Sequence, residues 1–237
     1  MMEAIEEGTL AGPRRVGLPA VVAIDGVAGV GKTAVAKALA ERLGWRHLDT
    51  GAMYRYITWR VREAGLDPAD TEAVAELARG VHFAWRADGG LDADGVELPG
   101  EIRSQEVTRL VAAVADNQRV RSHLVREQRR LGEESPCVIE GRDIATVVFT
   151  DSPFKFFLDA DPSERASRRL GQLHRQGHEA EFDRVLADVM ERDARDRARP
   201  VGGMRPADDA VHLDTTSMGK QQVVEWLARR VLSPEAP

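Results

Sequence analysis

Residues 21 to 40 read VVAIDGVAGVGKTAVAKALA. Val21, Val22, Ala23 and Ile24 form a short apolar run suited to a buried strand. Gly26, Val27, Ala28, Gly29, Val30, Gly31, Lys32 and Thr33 complete the pattern G-x-x-x-x-G-K-[ST], and an Ala/Leu/Val-rich helical segment follows. A phosphate-binding loop needs this setting of strand, tight glycine turn and helix N-terminus. Glycines leave the backbone N–H groups free to converge on phosphate oxygens. Lys32 offers a point charge to the β- and γ-phosphates, and the Thr33 hydroxyl is placed to ligate Mg²⁺. A chance glycine turn beside a lysine would not fill every position in the right setting. The stretch therefore implies an α/β fold that binds a nucleoside triphosphate, without stating what is done with it.

The pattern beyond the loop supports that fold. Trp45 to Asp49 reads as a second strand, and Thr50-Gly51 breaks into a helix over Ala52 to Ala64. Asp67, Pro68 and Asp70 punctuate a turn before a helix over Thr71 to Arg79. In Val81 to Pro99, Val81, Phe83 and Trp85 alternate with His82, Ala84 and Arg86. Gly89-Gly90 and Asp94-Gly95 are hairpin signals, so a small β-rich insert is expected there. Helices are expected over Arg103 to Ala115 and Arg119 to Gly132. Core strands follow at Pro136 to Ile139, Phe154 to Leu158 and Ala210 to Leu213. A charged helical region, Pro162 to Arg199, breaks near Gly177, and a last helix spans Gly219 to Leu232. Strands alternating with helices predict a parallel, doubly wound five-stranded sheet, with ligands outside the carboxyl ends of its strands. The expected division is a lead-in over 1–19 and one domain over 20–237. Its core is 20–64, 133–161 and 200–237, with an insert at about 65–132 and a lid at about 162–199.

Composition narrows the partners. The net charge of −6 does not imply a general nucleic-acid surface. Lys32, Lys37, Lys155 and Lys220 are the only lysines, so 29 of the 33 basic residues are arginines, the side chain suited to bidentate phosphate recognition. Most are the compositional habit of such a chain. Cys137 is the single cysteine, which excludes an intrachain disulfide, and its apolar surroundings make it a buried bystander. No apolar stretch reaches membrane-spanning length and the first residues are acidic, so a cytoplasmic protein, monomeric and free of membrane, is expected.

Three constellations carry possible chemistry. Asp49, Thr50, Gly51 and Arg55 sit where a strand yields to a helix, suited to capping or to facing a ligand. Glu140-Gly141-Arg142-Asp143 places charge between apolar runs, which is costly unless paired or liganded; an internal Arg142–Asp143 brace is the plain alternative. Arg192, Arg195 and Arg199 share a helix face, with Asp196 four residues beyond Arg192. Arg165, Arg168 and Arg169 form a second cluster. Solvated, self-paired helices are the bland reading of this region, and an arginine clamp that closes over phosphate is the sharper one.

Taken together and in order, IDGVAGVGKT, LDTGAMYR, PGEIRSQEV, NQRVR, EGRDIATVVF, KFFLDADPSERASRR, the RDARDRAR run and VHLDTT resemble the bacterial cytidylate kinase family, over about Ala20 to Leu232. The resemblance implies a nucleoside monophosphate kinase fold with an arginine lid, and transfer of the ATP γ-phosphate to CMP or dCMP with Mg²⁺. It implies that Gly26 to Thr33 hold ATP phosphates, with Arg165 and Arg168 also on the ATP side. Thr50, Arg55 and Arg142 would contact the acceptor phosphate, as would Arg192. Arg121 and Asp143 would read the cytosine edge, and Asp196 and Arg199 would take the pentose hydroxyls. Lys32, Arg142, Asp143 and Arg192 would stand nearest the chemistry. A carboxylate accepts from the cytosine amino group, whereas uracil would present it with another acceptor.

The sequence departs from the family pattern at Ala112, where a serine reads the base, at Gln118 and Thr150, where prolines are usual, and at Ala145 and Glu140, in place of glycine and aspartate. The missing Ala112 hydroxyl is worth about 1 kcal/mol of base selectivity. Among rivals, a GTP-binding switch would carry N-K-x-D, yet the single asparagine, Asn117, precedes Gln118. A UMP/CMP-type or shikimate-type kinase would keep the loop, the latter without monophosphate and pentose contacts. A non-catalytic nucleotide-binding relative fits poorly with an intact Lys32, Thr33 and arginine set.

Overall fold

The structure, a computed structural model, describes residues 20–175 and 177–233. The expectation for residues 1–19 lies outside them. The first strand, β1 (Val21–Gly26), is buried along its whole length. It pairs in parallel with β6 (Cys137–Glu140) on one side and β7 (Phe154–Asp159) on the other. With β2 (Arg46–Asp49) beyond β6 and β8 (Val211–Asp214) beyond β7, the sheet runs β2-β6-β1-β7-β8, all parallel. This is the five-stranded sheet expected from the alternation of strands and helices.

Side chains on a strand alternate between faces. Val21 and Ala23 of β1 accordingly enter one hydrophobic cluster, and Val22 and Ile24 enter a second on the opposite face. Helices α1 (Lys32–Leu43) and α8 (Lys220–Leu232) cover the second through Val35, Leu39, Val223 and Leu227. Helix α2 (Thr50–Glu63) covers the first. That cluster continues without interruption into α3 (Thr71–Arg79), α4 (Gln105–Asp116) and α5 (Gln118–Glu134), through Val74, Val114 and Leu124. The expected insert thus shares its core with the sheet. Its β-rich part is a three-stranded antiparallel sheet of β3 (Phe83–Trp85), β4 (Leu91–Ala93) and β5 (Val96–Glu97). Both residues of the Asp94-Gly95 turn have positive φ, as a two-residue hairpin between β4 and β5 demands.

Several boundaries differ from expectation, each for a local reason. Helix α2 starts at Thr50 because the Asp49 side chain accepts the Ala52 N–H at 3.0 Å; the Thr50-Gly51 pair is its first turn rather than a break. Helix α4 starts at Gln105 rather than Arg103. Ser104 caps it, and a short 3₁₀ turn over Gly100–Arg103 leads in. Asn117 caps α5 by accepting from the Arg119 and Val120 N–H groups. A single π-helical turn over Ile144–Val148, closed by the Phe149 N–H on the Ile144 carbonyl, follows Asp143 and was not legible from the apolar run there. The charged region resolves into α6 (Pro162–Arg175) and α7 (Phe182–Ala198), on either side of the expected break.

Candidate active site

The donor loop is set by backbone geometry. Gly26 has φ +151°, and a Cβ there would fall 2.2 Å from the Leu158 carbonyl oxygen on β7, so no other residue fits. Lys32, the first residue of α1, curls back over the loop and donates to the Gly26 and Val27 carbonyls at 2.8 and 2.7 Å. Arg142, at the end of β6, donates to the same Gly26 carbonyl at 2.8 Å. Burial, then the neighbouring Arg142, holds the Lys32 ammonium well below its ordinary pKa. Desolvation, then Arg142 again, brings Arg192 on α7 down to about 10. Cations that depress one another in this way favour an anion between them, as the transferring phosphates require.

The lid reaches under this loop. Asp193 on α7 is buried; its Oδ1 accepts the Ala28 N–H at 2.7 Å and its Oδ2 accepts from Arg165 at 2.6 Å. Arg165 on α6 also donates to the Ala28 and Ala160 carbonyls, at 2.8 and 2.9 Å. The structure therefore places Arg165, expected among the ATP contacts, beneath the loop as a brace with its guanidinium committed to protein partners. Arg168 donates to the Thr215 and Thr216 carbonyls in the loop after β8, at 2.8 and 3.2 Å.

The residues beside the loop fit a divalent cation. The Glu140 carboxyl is buried and accepts from the Thr33 hydroxyl, yet its Oε1 has no hydrogen-bond partner. Burial, then the charge of Asp49, pushes it up to about 7. A hydroxyl and an unsatisfied carboxylate side by side are oxygen ligands of the kind Mg²⁺ takes. Among the described residues no group of three His, Cys, Asp or Glu side chains converges on one point. That matches an ion held mainly by substrate phosphates and water.

The residues expected to contact the acceptor gather on the other side of Arg142. The Arg142–Asp143 brace, the plain alternative, is not formed. Arg142 Nε donates to Asp196 at 2.7 Å, and Asp143 pairs with Arg121 on α5. Asp196 also meets Arg199 at 3.1 Å, and Arg199 reaches Asp116 at the end of α4, at 2.8 Å. The flanking cations Arg142, Arg199 and Arg192 hold Asp196 below the ordinary carboxylate range against the cost of burial. Burial raises Asp143, countered by Arg121. Thr50 donates to the Glu140 carbonyl at 2.7 Å, and Arg55 to the Thr108 hydroxyl at 2.9 Å. Arg195, expected on the clamp face, instead pairs with Glu191 in solvent.

Some participants escaped the sequence reading. Asp25, the one charge in β1, is buried; its two oxygens accept the Ile144 and Ala145 N–H groups, both at 2.8 Å. It thereby fixes the π turn that follows Asp143. A carboxylate in an otherwise apolar strand was the available signal. Asp193 was hidden in the run 191–199, where seven of the nine residues are charged. Asp116 gave no signal, since its partner Arg199 lies 83 positions away.

Comparison with known proteins decides the family. The cytidylate kinase family model matches residues 22–233. The chain belongs to the cytidylate kinase family. A cytidylate kinase of Geobacter sp. (strain M21) is 40% identical over 214 residues, 89% of this chain and 92% of the relative. One from Enterobacter sp. (strain 638) is 43% identical over 208 residues, 86% and 92% of the two chains. The matched span contains the donor loop, Arg142, Asp143 and the whole of α7, so family membership covers both halves of the site. The chain is thus an ATP-dependent nucleoside monophosphate kinase of the cytidylate kinase family, and the shikimate-type alternative is not favoured.

Proposed function

We propose that the chain moves the γ-phosphate of ATP to CMP or dCMP, with Gly26 to Thr33 and Lys32 on the donor and the Arg121–Asp143 pair reading the base. The buried Arg121–Asp143 pair carries the reading of the acceptor. An arginine can donate to the cytosine carbonyl and ring nitrogen while the carboxylate beside it accepts from the amino group on the same edge. Asp196 and Arg199 would take the pentose, and Thr50, Arg55, Arg142 and Arg192 the acceptor phosphate. Arg168 would border the ATP base through the loop after β8, while Arg165 acts through the loop it braces.

Phosphoryl transfer asks little covalent chemistry of a protein; positioning and charge neutralisation dominate. Lys32, Arg142 and Arg192 would spread positive charge around the transferring group, and no side-chain nucleophile is required. Bound Mg²⁺ would neutralise phosphate charge at Thr33 and Glu140. The division into core, insert (about 65–132) and lid (about 162–199) follows from these roles: the insert supplies Arg121, the lid Arg192, Asp196 and Arg199, and the core the donor loop. We place the enzyme in the cytoplasm as a monomer. No helix among the described residues is long and apolar enough to cross a membrane.

An ADP-release assay with CMP, dCMP, UMP, AMP, GMP and shikimate as acceptors tests the proposal. Turnover with CMP or dCMP well above the others is expected. Preference for AMP, GMP or shikimate would overturn it.

A further inference from the structure

The segment after α7 does more than return the chain to β8. Met204 N–H donates to the Asp196 carbonyl at 2.8 Å, and the Met204 side chain is buried in the cluster beneath β7. Gly203 packs so tightly on the last turn of α7 that a Cβ there would lie 2.8 Å from the Arg199 carbonyl and 2.9 Å from that of Arg197. The turn at 202–203 is therefore fixed to the end of the helix that presents Asp196 and Arg199. Between these anchors, Gly202 has φ +65° and lies directly against the pair proposed to read the base. A Cβ on it would fall 1.9 Å from an Arg121 guanidinium nitrogen and 2.2 Å from Asp143 Oδ2. Both side chains are buried although they border a ligand site. The glycine turn is what closes them from above.

From this contact, and resting on the reading of Arg121 and Asp143 as base readers, we propose that the Gly202-Gly203 turn is the roof of the acceptor-base pocket and that Gly202 is a specificity-determining residue for the acceptor. In the closed arrangement Gly202 touches the two readers directly. A flat ring meets them only when the turn lifts, and the turn is attached to the lid helix. Lifting the roof and releasing the pentose contacts of Asp196 and Arg199 are then one motion. A Cβ at 202 would displace the reader side chains when no base is held and press on the face of the base when one is, disturbing the readers' geometry in either arrangement.

The experiment separates this steric role from backbone strain. Gly65, in the turn after α2, has φ +66°, and a Cβ on it would meet nothing within 4 Å. Gly65→Ala thus imposes the same conformational penalty without the clash. KM for CMP, KM for ATP and the melting temperature are measured for Gly202→Ala, Gly202→Asn, Gly65→Ala and Arg121→Ala. Gly202→Ala is expected to raise KM for CMP roughly tenfold or more, as overpacking of a closed site does, and to leave KM for ATP within about twofold. Gly202→Asn tolerates the left-handed backbone but keeps the Cβ, so it should be as defective as Ala. Gly65→Ala should lower the melting temperature and change neither KM. If Gly202→Ala behaves like Gly65→Ala, or if Asn restores the CMP KM, the roof is wrong. If Arg121→Ala leaves the CMP KM unchanged, the base-reader assignment fails first, and the proposal with it.

Discussion

The brace between Asp193 and Arg165 makes a quantitative demand on the fold. Both side chains are almost fully buried, at 2% and 3% exposure, and their contact of 2.6 Å is a charge-assisted hydrogen bond. Asp193→Ala would leave the Arg165 cation buried with only carbonyl partners, and the Ala28 N–H of the donor loop without its acceptor. Removing one partner of such a buried pair costs about 3–5 kcal/mol. For a chain of this size each kcal/mol moves the midpoint by roughly 2–4 °C, so a fall of about 6–20 °C in Tm is expected. Thermal denaturation followed by circular dichroism measures it. Replacing both charges with apolar residues, Asp193→Leu with Arg165→Met, should recover much of the loss, because no uncompensated charge remains. The double variant should still bind ATP more weakly, since Ala28 N–H stays unheld. A Tm within about 3 °C of wild type for Asp193→Ala would refute the reasoning, because the loss of a single net hydrogen bond suffices to explain so small a change.

Further outcomes follow from other parts of the site. Lys32→Ala should reduce kcat by several orders of magnitude by removing transition-state charge, and near-normal turnover would remove Lys32 from the chemistry. Arg199→Ala should raise KM for CMP far more than KM for ATP, since its partners Asp196 and Asp116 lie on the acceptor side; equal changes would move it elsewhere. Asp25 and Glu140 are both raised by burial to about 7, so the folded state binds more protons than the unfolded chain between the ordinary carboxylate range and pH 7. Stability without ligands should therefore fall as pH rises through that window, by about 3–4 kcal/mol per group at the upper end, and urea titrations at pH 5 and pH 8 would show it. Glu140→Gln should flatten that slope; an unchanged slope would place the titration elsewhere. Ala112→Ser should sharpen CMP over UMP a few-fold in kcat/KM, the worth of one hydrogen bond.

What could be read in the sequence and what could not divides along the range of the interaction. The donor loop was fully legible because Gly26 to Thr33 are contiguous, and their chemistry follows from spacing alone. The sheet was legible because β1, β6 and β7 are short, largely apolar runs between helical periods. Element starts were off by two residues at α2 and α4 because side-chain caps, Asp49 and Ser104, decide them. The family resemblance named the proposed acceptor residues, but it could not say whom each one faces. Arg142 and Asp143 are neighbours in the chain, and the natural guess pairs them. In the fold they diverge: past the end of β6 Arg142 turns to Asp196 and Asp143 to Arg121, and the Asp25 carboxylate holds the turn that follows against β1. Asp193, Asp196 and Arg199 lie within seven residues of helix α7, yet their partners are Ala28, Arg142 and Asp116, each in a different part of the chain.

Those partners also tie one helix to three separate parts of the fold. Asp193 holds the donor loop through Ala28. One turn on, Asp196 holds Arg142, which in turn donates to Gly26 at the start of that same loop. Another turn on, Arg199 reaches Asp116 in the insert. A rigid helix that touches the donor loop, the end of β6 and the insert at successive turns cannot shift at one contact without straining the others. The positions are spaced three apart, so they share a face. Burial, then the neighbouring Arg142, lowers the pKa of both Lys32 and Arg192, and this crowding of cations gives the face its positive sign.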